Sequence, residues 1–390
     1  MHFTEIKETA DTYLMPTYAH FPVALEHGEN ATYFDSEGKA YIDFTAGIGV
    51  NALGTNDEVW KAAVKAQLDK LQHTSNLYYN ETVAKAAKMI CERAGFPKVL
   101  FCNSGAEANE CAIKLARKYS FDKYGAGRYN IVSLKNSFHG RTMATITATG
   151  QDHYHEFFNP FLEGFRYAES GDCKGLENML DGTVCAVMME VIQGEGGVLE
   201  TPKDFIEFVR TVCDENDVLL IFDEVQTGVG RTGKLFAYET VGVKPDILTA
   251  AKGIGGGLPM GACLCSAELN NTLTAGTHGT TFGGNPVACA GSSAVLERLD
   301  DGFLAEVTEK GEYIHEKVKA FTDVESVRGR GLMIGIDLKT KKAGEIAKKC
   351  CENGLLILTA KSALRMLPPL TISYEEIDKG LLILERVLSE

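Results

Sequence analysis

The chain has little that would place it in a membrane, on a nucleic acid or in an oxidising compartment. No stretch approaches the ~18 uninterrupted apolar residues of a membrane span. The opening MHFTEIKETADTYLMP carries acidic residues and lacks the apolar core of a signal peptide. Lys and Arg number 39 against 53 Asp and Glu, a formal net charge of −14, and no long run of basic residues offsets it. Phosphate backbones and anionic lipid surfaces repel such a chain. Cysteine is not scarce, at 11, but the residues are scattered, Cys263/Cys265 and Cys350/Cys351 are the close pairs, and no C-x-x-C pattern occurs. Reduced thiols in a cytoplasmic protein are therefore expected, with no disulfide framework, no metal, no nucleic acid and no membrane partner. Internal repeats and low-complexity tracts are also missing.

What is present is enough apolar sequence for more than one core. At 390 residues and 45% hydrophobic content, the chain exceeds a typical domain of ~100–200 residues. From about 60 to 290, apolar strands such as Tyr129–Leu134 and Cys185–Met189 alternate with helices, the pattern of a mostly parallel sheet covered by helices. Before it, Thr32–Asp35 and Ala40–Phe44 flank the turn Ser36-Glu37-Gly38-Lys39, a hairpin signal. After residue 290 come two helical segments, strands near 324–328 and 332–338, and a last helix near 375–389. The expected division is an N-terminal segment 1–50 that joins the small domain, a large domain 51–290, and a small α+β domain 291–390. Thr55 and Glu58 read as a capping box opening a helix that turns Val59, Ala62, Ala63, Ala66 and Leu71 to the core.

Three strand ends carry chemistry. In Lys244–Gly261, Lys252 follows the apolar Ile247–Ala251 and precedes Gly253, Gly255, Gly256 and Gly257, which let backbone approach a flat ligand. A lysine so placed can form a Schiff base with an aldehyde. The buried-strand pattern Val218–Phe222 ends in Asp223, where a carboxylate can hold a protonated pyridine nitrogen at the carboxyl edge of a parallel sheet. The strand Val99–Asn103 breaks at Ser104-Gly105-Ala106 and opens a helix whose Ala108, Cys111, Ala112, Leu115, Ala116 and Tyr119 share one face. Free N–H groups and the helix dipole make that start a phosphate cup. Each stretch alone has a plainer reading: a lysine at a glycine-rich turn, an aspartate cap, a serine cap. Together they imply pyridoxal phosphate.

These segments, with Phe21-Pro22-Val23, Ala46–Asn51, Ser75–Tyr79, Ser137–Thr142, Gln193–Gly197, Phe222–Gly233 and Gly279–Pro286, resemble in order and spacing the class III, fold-type I aminotransferases that use pyridoxal phosphate. The resemblance covers almost the whole chain. It implies a large domain with a mostly parallel seven-stranded sheet, a smaller α+β domain, and a homodimer with shared active sites. It also implies roles. Lys252 carries the cofactor and moves the proton; Asp223 holds the ring nitrogen; Phe138 and Val225 flank the ring; and Gln226 lies by its phenolic oxygen. Ser104, Gly105 and Ala106 hold the phosphate, which Thr281 reaches from the neighbouring subunit.

For substrates, the resemblance assigns Arg141 to a distal carboxylate, Arg365 to an α-carboxylate, Glu195 to pairing with Arg365 when no substrate does, and Tyr18 to the distal part of the substrate. Planar guanidinium groups suit carboxylates through two parallel hydrogen bonds, as dicarboxylates such as 2-oxoglutarate and glutamate require. The expected reaction moves the terminal amino group of N-acetylornithine to 2-oxoglutarate. Succinylornithine, ornithine and 4-aminobutyrate remain alternative donors, since loops set acyl-group contacts without a sharp code. An aminomutase or decarboxylase on the same scaffold would not need both arginines, and a cofactor-binding regulator would need neither. The sequence departs from the family's frequent pattern at His20, at Thr55-Asn56-Asp57 and at Val191.

Overall fold

The computed structural model describes residues 2–390. A seven-stranded sheet runs in the order Lys98–Cys102, Gly261–Cys265, Ile247–Ala250, Leu219–Asp223, Val184–Met189, Asn130–Leu134, Phe165–Ala168. Gly261–Cys265 is antiparallel to both neighbours and every other pairing is parallel. Val184–Met189 and Leu219–Asp223 are buried at every position, because helices cover both faces.

The alternation of side chains along a strand sorts these apolar runs into two cores. Leu220, Phe222 and Leu248 belong to one core, while Ile221, Ile247 and Cys263 belong to the other with Cys111, Ala112, Leu115 and Ala116 of the helix Gly105–Tyr124. Asp223 and Thr249 continue the parity of Ile221 and Ile247, so they point toward that helix. This register carries Asn109, on the helix, to the carboxylate end of the sheet.

A second, antiparallel sheet joins Val324–Arg330, Met333–Leu338, Ala363–Met366 and Leu358–Ala360. The N-terminal hairpin strands Thr32–Asp35 and Ala40–Asp43 pair as the turn signal predicts, and Leu355–Leu356 adds to Ala40–Asp43 in parallel. Residues near both ends of the chain thus share a sheet. No helix among the described residues is long and apolar enough to cross a membrane, and all eleven cysteines are free.

The capping expectation after Gly54 is overturned. Asp57 caps the helix Glu58–Lys70 by accepting the Trp60 N–H at 2.8 Å, while Thr55 spends its hydroxyl on the Tyr33 hydroxyl, 2.6 Å away in the hairpin. A tertiary contact takes the residue the local pattern favoured. The buried face is also different: Val59, Ala62 and Ala66 are exposed, and Gln67 is the buried residue of the helix. Gln67 satisfies its amide through the Leu71 carbonyl at 2.8 Å and the Thr82 hydroxyl at 2.7 Å, and Trp60 donates to the Gly255 carbonyl at 3.2 Å.

Candidate active site

A cavity of about 450 Å³ opens at the carboxyl ends of the parallel strands. Ser104, Gly105, Ala106, Phe138, Arg141, Glu195, Asp223, Val225, Gln226 and Lys252 all line it. Arg365, Tyr18 and Thr281 do not, although Arg365 is bonded to the lining residues Glu195 and Gln226. Tyr18 is 78% exposed, and Thr281 lies in a separate groove with Tyr78, Tyr79 and Asn80.

Lys252 follows the strand Ile247–Ala250 by two residues, with φ +47°, a left-handed conformation that an L residue adopts only under constraint. The turn Lys252–Gly255 begins there. Its amine makes no hydrogen bond or ion pair with the described residues. Burial lowers its pKa to about 8, against the opposing pull of Glu195. A lysine near neutrality is a usable nucleophile and base.

Asp223 is nearly inaccessible and strongly held. Its Oδ2 accepts the Asn109 amide at 2.7 Å and lies 2.8 Å from His139 Nδ1, while its Oδ1 accepts the Val225 N–H at 2.9 Å. Asn109 is fixed in turn: its Oδ1 accepts the Thr249 hydroxyl at 2.7 Å and its amide also donates to the His139 carbonyl at 2.8 Å. Sequence reasoning misses Asn109, His139 and Thr249 as the partners that hold Asp223. His139 lies inside the Ser137–Thr142 motif, between Phe138 and Arg141, and its imidazole is the available signal.

The chain also buries Glu190 completely. Its oxygens accept the Phe138 N–H at 3.0 Å and the Gly194 N–H at 3.3 Å. Burial, and then the charge of Asp223, push its pKa well above the usual carboxylate range. Through those two bonds the Glu190 carboxyl ties the loop bearing Phe138 to the loop bearing Glu195.

At the Ser104 end of the cavity, Ser104 caps the helix Gly105–Tyr124 by accepting the Glu107 N–H at 3.2 Å. The first N–H groups of that helix have no partner within it. Gly105 is required by space: a Cβ would lie 2.6 Å from Val225 Cγ1.

The two arginines differ. Arg365, on the strand Ala363–Met366, is 3% exposed and donates from Nη1 to Glu195 Oε1 at 2.6 Å and to Gln226 Oε1 at 3.1 Å. Burial raises the Glu195 carboxyl, but Arg365 outweighs it, and the net shift is downward. Arg141 is exposed and has no carboxylate partner among the described residues; its guanidinium carbon lies 4.4 Å from the Tyr154 ring centre and 5.7 Å from that of Phe138.

The class-III aminotransferase family pattern matches residues 13–388 of this chain. The chain belongs to the class-III aminotransferases. It is 51% identical over 384 residues to the acetylornithine aminotransferase of Caldanaerobacter subterraneus subsp. tengcongensis, covering 97% of this chain and 98% of that one. It is 48% identical over 388 residues to the acetylornithine aminotransferase of Haemophilus ducreyi, covering 99% of each. Among solved structures, the ornithine aminotransferase of Toxoplasma gondii superposes with a TM-score of 0.95 at 30% identity, covering 100% of this chain and 95% of that one.

Class-III aminotransferases work with pyridoxal phosphate, and the donor set of this class-III aminotransferase fits it. Asp223 Oδ1 accepts one N–H, so a lone pair remains for a protonated ring nitrogen. The open helix start offers N–H groups to a phosphate. Lys252 supplies an amine without a competing partner.

Proposed function

We propose that this class-III aminotransferase transfers the terminal amino group of N-acetylornithine to 2-oxoglutarate, yielding N-acetylglutamate semialdehyde and glutamate. The observation that carries this reading is a pair of unlike guanidinium sites at the Lys252 cavity: Arg141 lines it without a counter-ion, and Arg365 is held on the lining residues Glu195 and Gln226. The acetylornithine aminotransferases at 48% and 51% identity support the choice of donor.

In this reading, Ser104, Gly105 and Ala106 hold the cofactor phosphate through N–H groups and a hydroxyl. Phe138 and Val225 enclose the ring, Gln226 lies at its phenolic oxygen, and Asp223 keeps a proton on its nitrogen. Asn109 and His139 hold Asp223 in place for that task. When bound, pyridoxal phosphate would supply an electron sink that makes the hydrogen on the amine-bearing carbon acidic and would store the amino group between half-reactions. Lys252 Nζ, with no competing partner, is the base that would take that hydrogen as a proton and hold it for return.

The two arginines explain how one cavity serves two amines. N-acetylornithine reacts at its distal amine, so its carboxylate extends to Arg141 and Glu195 remains on Arg365. Glutamate reacts at its α-amine, places its α-carboxylate on Arg365 and its side-chain carboxylate on Arg141, and displaces Glu195. Gly194, Gly196 and Gly197 flank Glu195 and permit the swing.

Residues 1–50 with 291–390 form the smaller unit of this proposal, and 51–290 the cofactor-binding unit. The active form is a cytoplasmic homodimer in which Thr281 and Tyr18 serve the neighbouring subunit's site. The exposure of Tyr18, Leu77, Tyr78, Tyr79 and Phe282 supports it. Mixing Lys252→Ala subunits with Thr281→Ala subunits, each impaired alone, should then restore activity in mixed dimers. No recovery after proven subunit exchange would remove the shared site.

A panel of amine donors with 2-oxoglutarate, ranked by kcat/KM, tests the donor. N-acetylornithine should rank first, and a higher value for succinylornithine, ornithine or 4-aminobutyrate would reassign it.

A further inference from the structure

Two residues that line the cavity, Arg141 and Phe138, lean on an aromatic residue that the reaction scheme does not use. Tyr154 ends the short turn Asp152–Tyr154. Its ring faces the Arg141 guanidinium at 4.4 Å and meets the Phe138 ring at 5.5 Å, with the planes 62° apart. The turn that carries it is fastened on both sides. Gln151, itself buried, donates its amide to the Ser137 carbonyl at 3.0 Å, and His155 Nε2 lies 2.8 Å from the Ile146 carbonyl. Backbone bonds from Tyr154 to Gln151 at 3.1 Å and from His155 to Asp152 at 2.8 Å close the turn. The Tyr154 hydroxyl has no hydrogen-bond partner among the described residues.

We propose that Tyr154 is a positioning residue that sets substrate specificity by holding the Arg141 guanidinium flat, edge-on to the cavity, ready for a distal carboxylate. The proposal rests on the reading of Arg141 as the distal-carboxylate site. An exposed arginine without a counter-ion samples many rotamers, and ordering it on binding costs affinity. A ring face attracts the guanidinium by its quadrupole yet makes no claim on its N–H groups. The five donors therefore stay free for two parallel bonds to a carboxylate. A protein carboxylate in the same place would order Arg141 equally well but would compete with the substrate. The contact with Phe138 joins this support to the wall that flanks the cofactor ring.

The test compares donors that differ only in the distal carboxylate: N-acetylornithine and monoacetylated putrescine. Glutarate, an unreactive dicarboxylate, reports binding without turnover through its inhibition constant. Tyr154→Leu is expected to raise KM for N-acetylornithine and weaken glutarate by roughly fivefold, the scale of a partly exposed cation–π contact. Its kcat, and its KM for monoacetylated putrescine, should stay within about twofold. Tyr154→Phe keeps the ring face and should restore wild-type values. Circular dichroism verifies that both variants fold.

Equal losses for both donors would overturn the proposal, because they would mark a general distortion of the wall. A Tyr154→Phe defect as large as that of Tyr154→Leu would also overturn it, since the hydroxyl would then touch substrate directly. Arg141→Ala separates the proposal from the reading beneath it. If Arg141→Ala weakens glutarate and Tyr154→Leu does not, the clamp is wrong and the carboxylate site stands. If Arg141→Ala leaves glutarate binding unchanged, the carboxylate site falls and the clamp falls with it.

Discussion

Arg141 lines the cavity, Arg365 is bonded to the lining residues Glu195 and Gln226, and the two are built on opposite principles. Arg365 is out of solvent, and a bare guanidinium there would cost several kcal/mol, so the chain supplies Glu195 and Gln226 as resident partners. Arg141 lies at the exposed end, where water meets the cost of its charge, and an aromatic face orients it without occupying it. Under the proposed function the buried site would exchange one carboxylate for another, whereas the exposed site would exchange only water. Selection between two amine donors would then belong at Arg365, and affinity for the carboxylate both donors share at Arg141.

The largest expected effect comes from breaking the buried pair. Arg365→Leu leaves Glu195, whose side chain is 26% exposed, without its cation. Removing one partner of a fully buried pair costs ~3–5 kcal/mol. With part of Glu195 in water, a loss of about 2–3 kcal/mol in unfolding free energy is expected, together with collapse of the glutamate half-reaction. Urea unfolding and single-turnover rates measure both. Wild-type stability in this variant would mean that Glu195 finds solvent on its own and that the pair does not constrain the site.

The middle effect is a change of preference. Glu195→Ala leaves Arg365 open permanently, so the glutamate half-reaction should gain relative to the N-acetylornithine half-reaction. A carboxylate that no longer has to displace another gains roughly tenfold, or about 1.4 kcal/mol. Single-turnover rates with each donor decide it, and equal changes in the two would show that Glu195 does not gate.

How much of this was legible beforehand depends on how local each feature is. The strands of the large sheet are continuous apolar runs, and the chemistry sits where those runs stop, so Lys252, Asp223 and Ser104 could be read from short windows. The support for Asp223 could not. Asn109 comes from a helix, His139 from the loop after the strand Asn130–Leu134, and Thr249 from the adjacent strand. They meet only through the register of the sheet and the packing of the helix on one face. Glu190 has the same history, since its meaning lies in the N–H groups of Phe138 and Gly194 on two different loops. The misread cap at Thr55 failed for the matching reason: its hydroxyl was taken by Tyr33, more than 20 positions earlier in the chain.

The smallest expected effect completes the contrast. Arg141→Leu removes a solvated charge that has no ion pair and only two aromatic contacts, with Tyr154 and Phe138, so its cost in unfolding free energy should stay near ~0.5 kcal/mol. The two arginine variants should also differ in their response to acid. Glu195 has a folded pKa below the ordinary value of 4.5, so its pairing with Arg365 contributes stability that is present above about pH 4.5 and is lost as pH falls through the lower folded value. Acid thus removes from the wild type the interaction that Arg365→Leu has already lost, and the gap between those two proteins should narrow below pH 4.5. The gap between wild type and Arg141→Leu has no carboxylate behind it and should stay constant over the same interval. Unfolding midpoints from pH 7 down to pH 4 test this directly. A destabilisation by Arg141→Leu that equals that of Arg365→Leu, or that shrinks in acid as the other does, would show a protein carboxylate on Arg141 and would erase the distinction between the two sites.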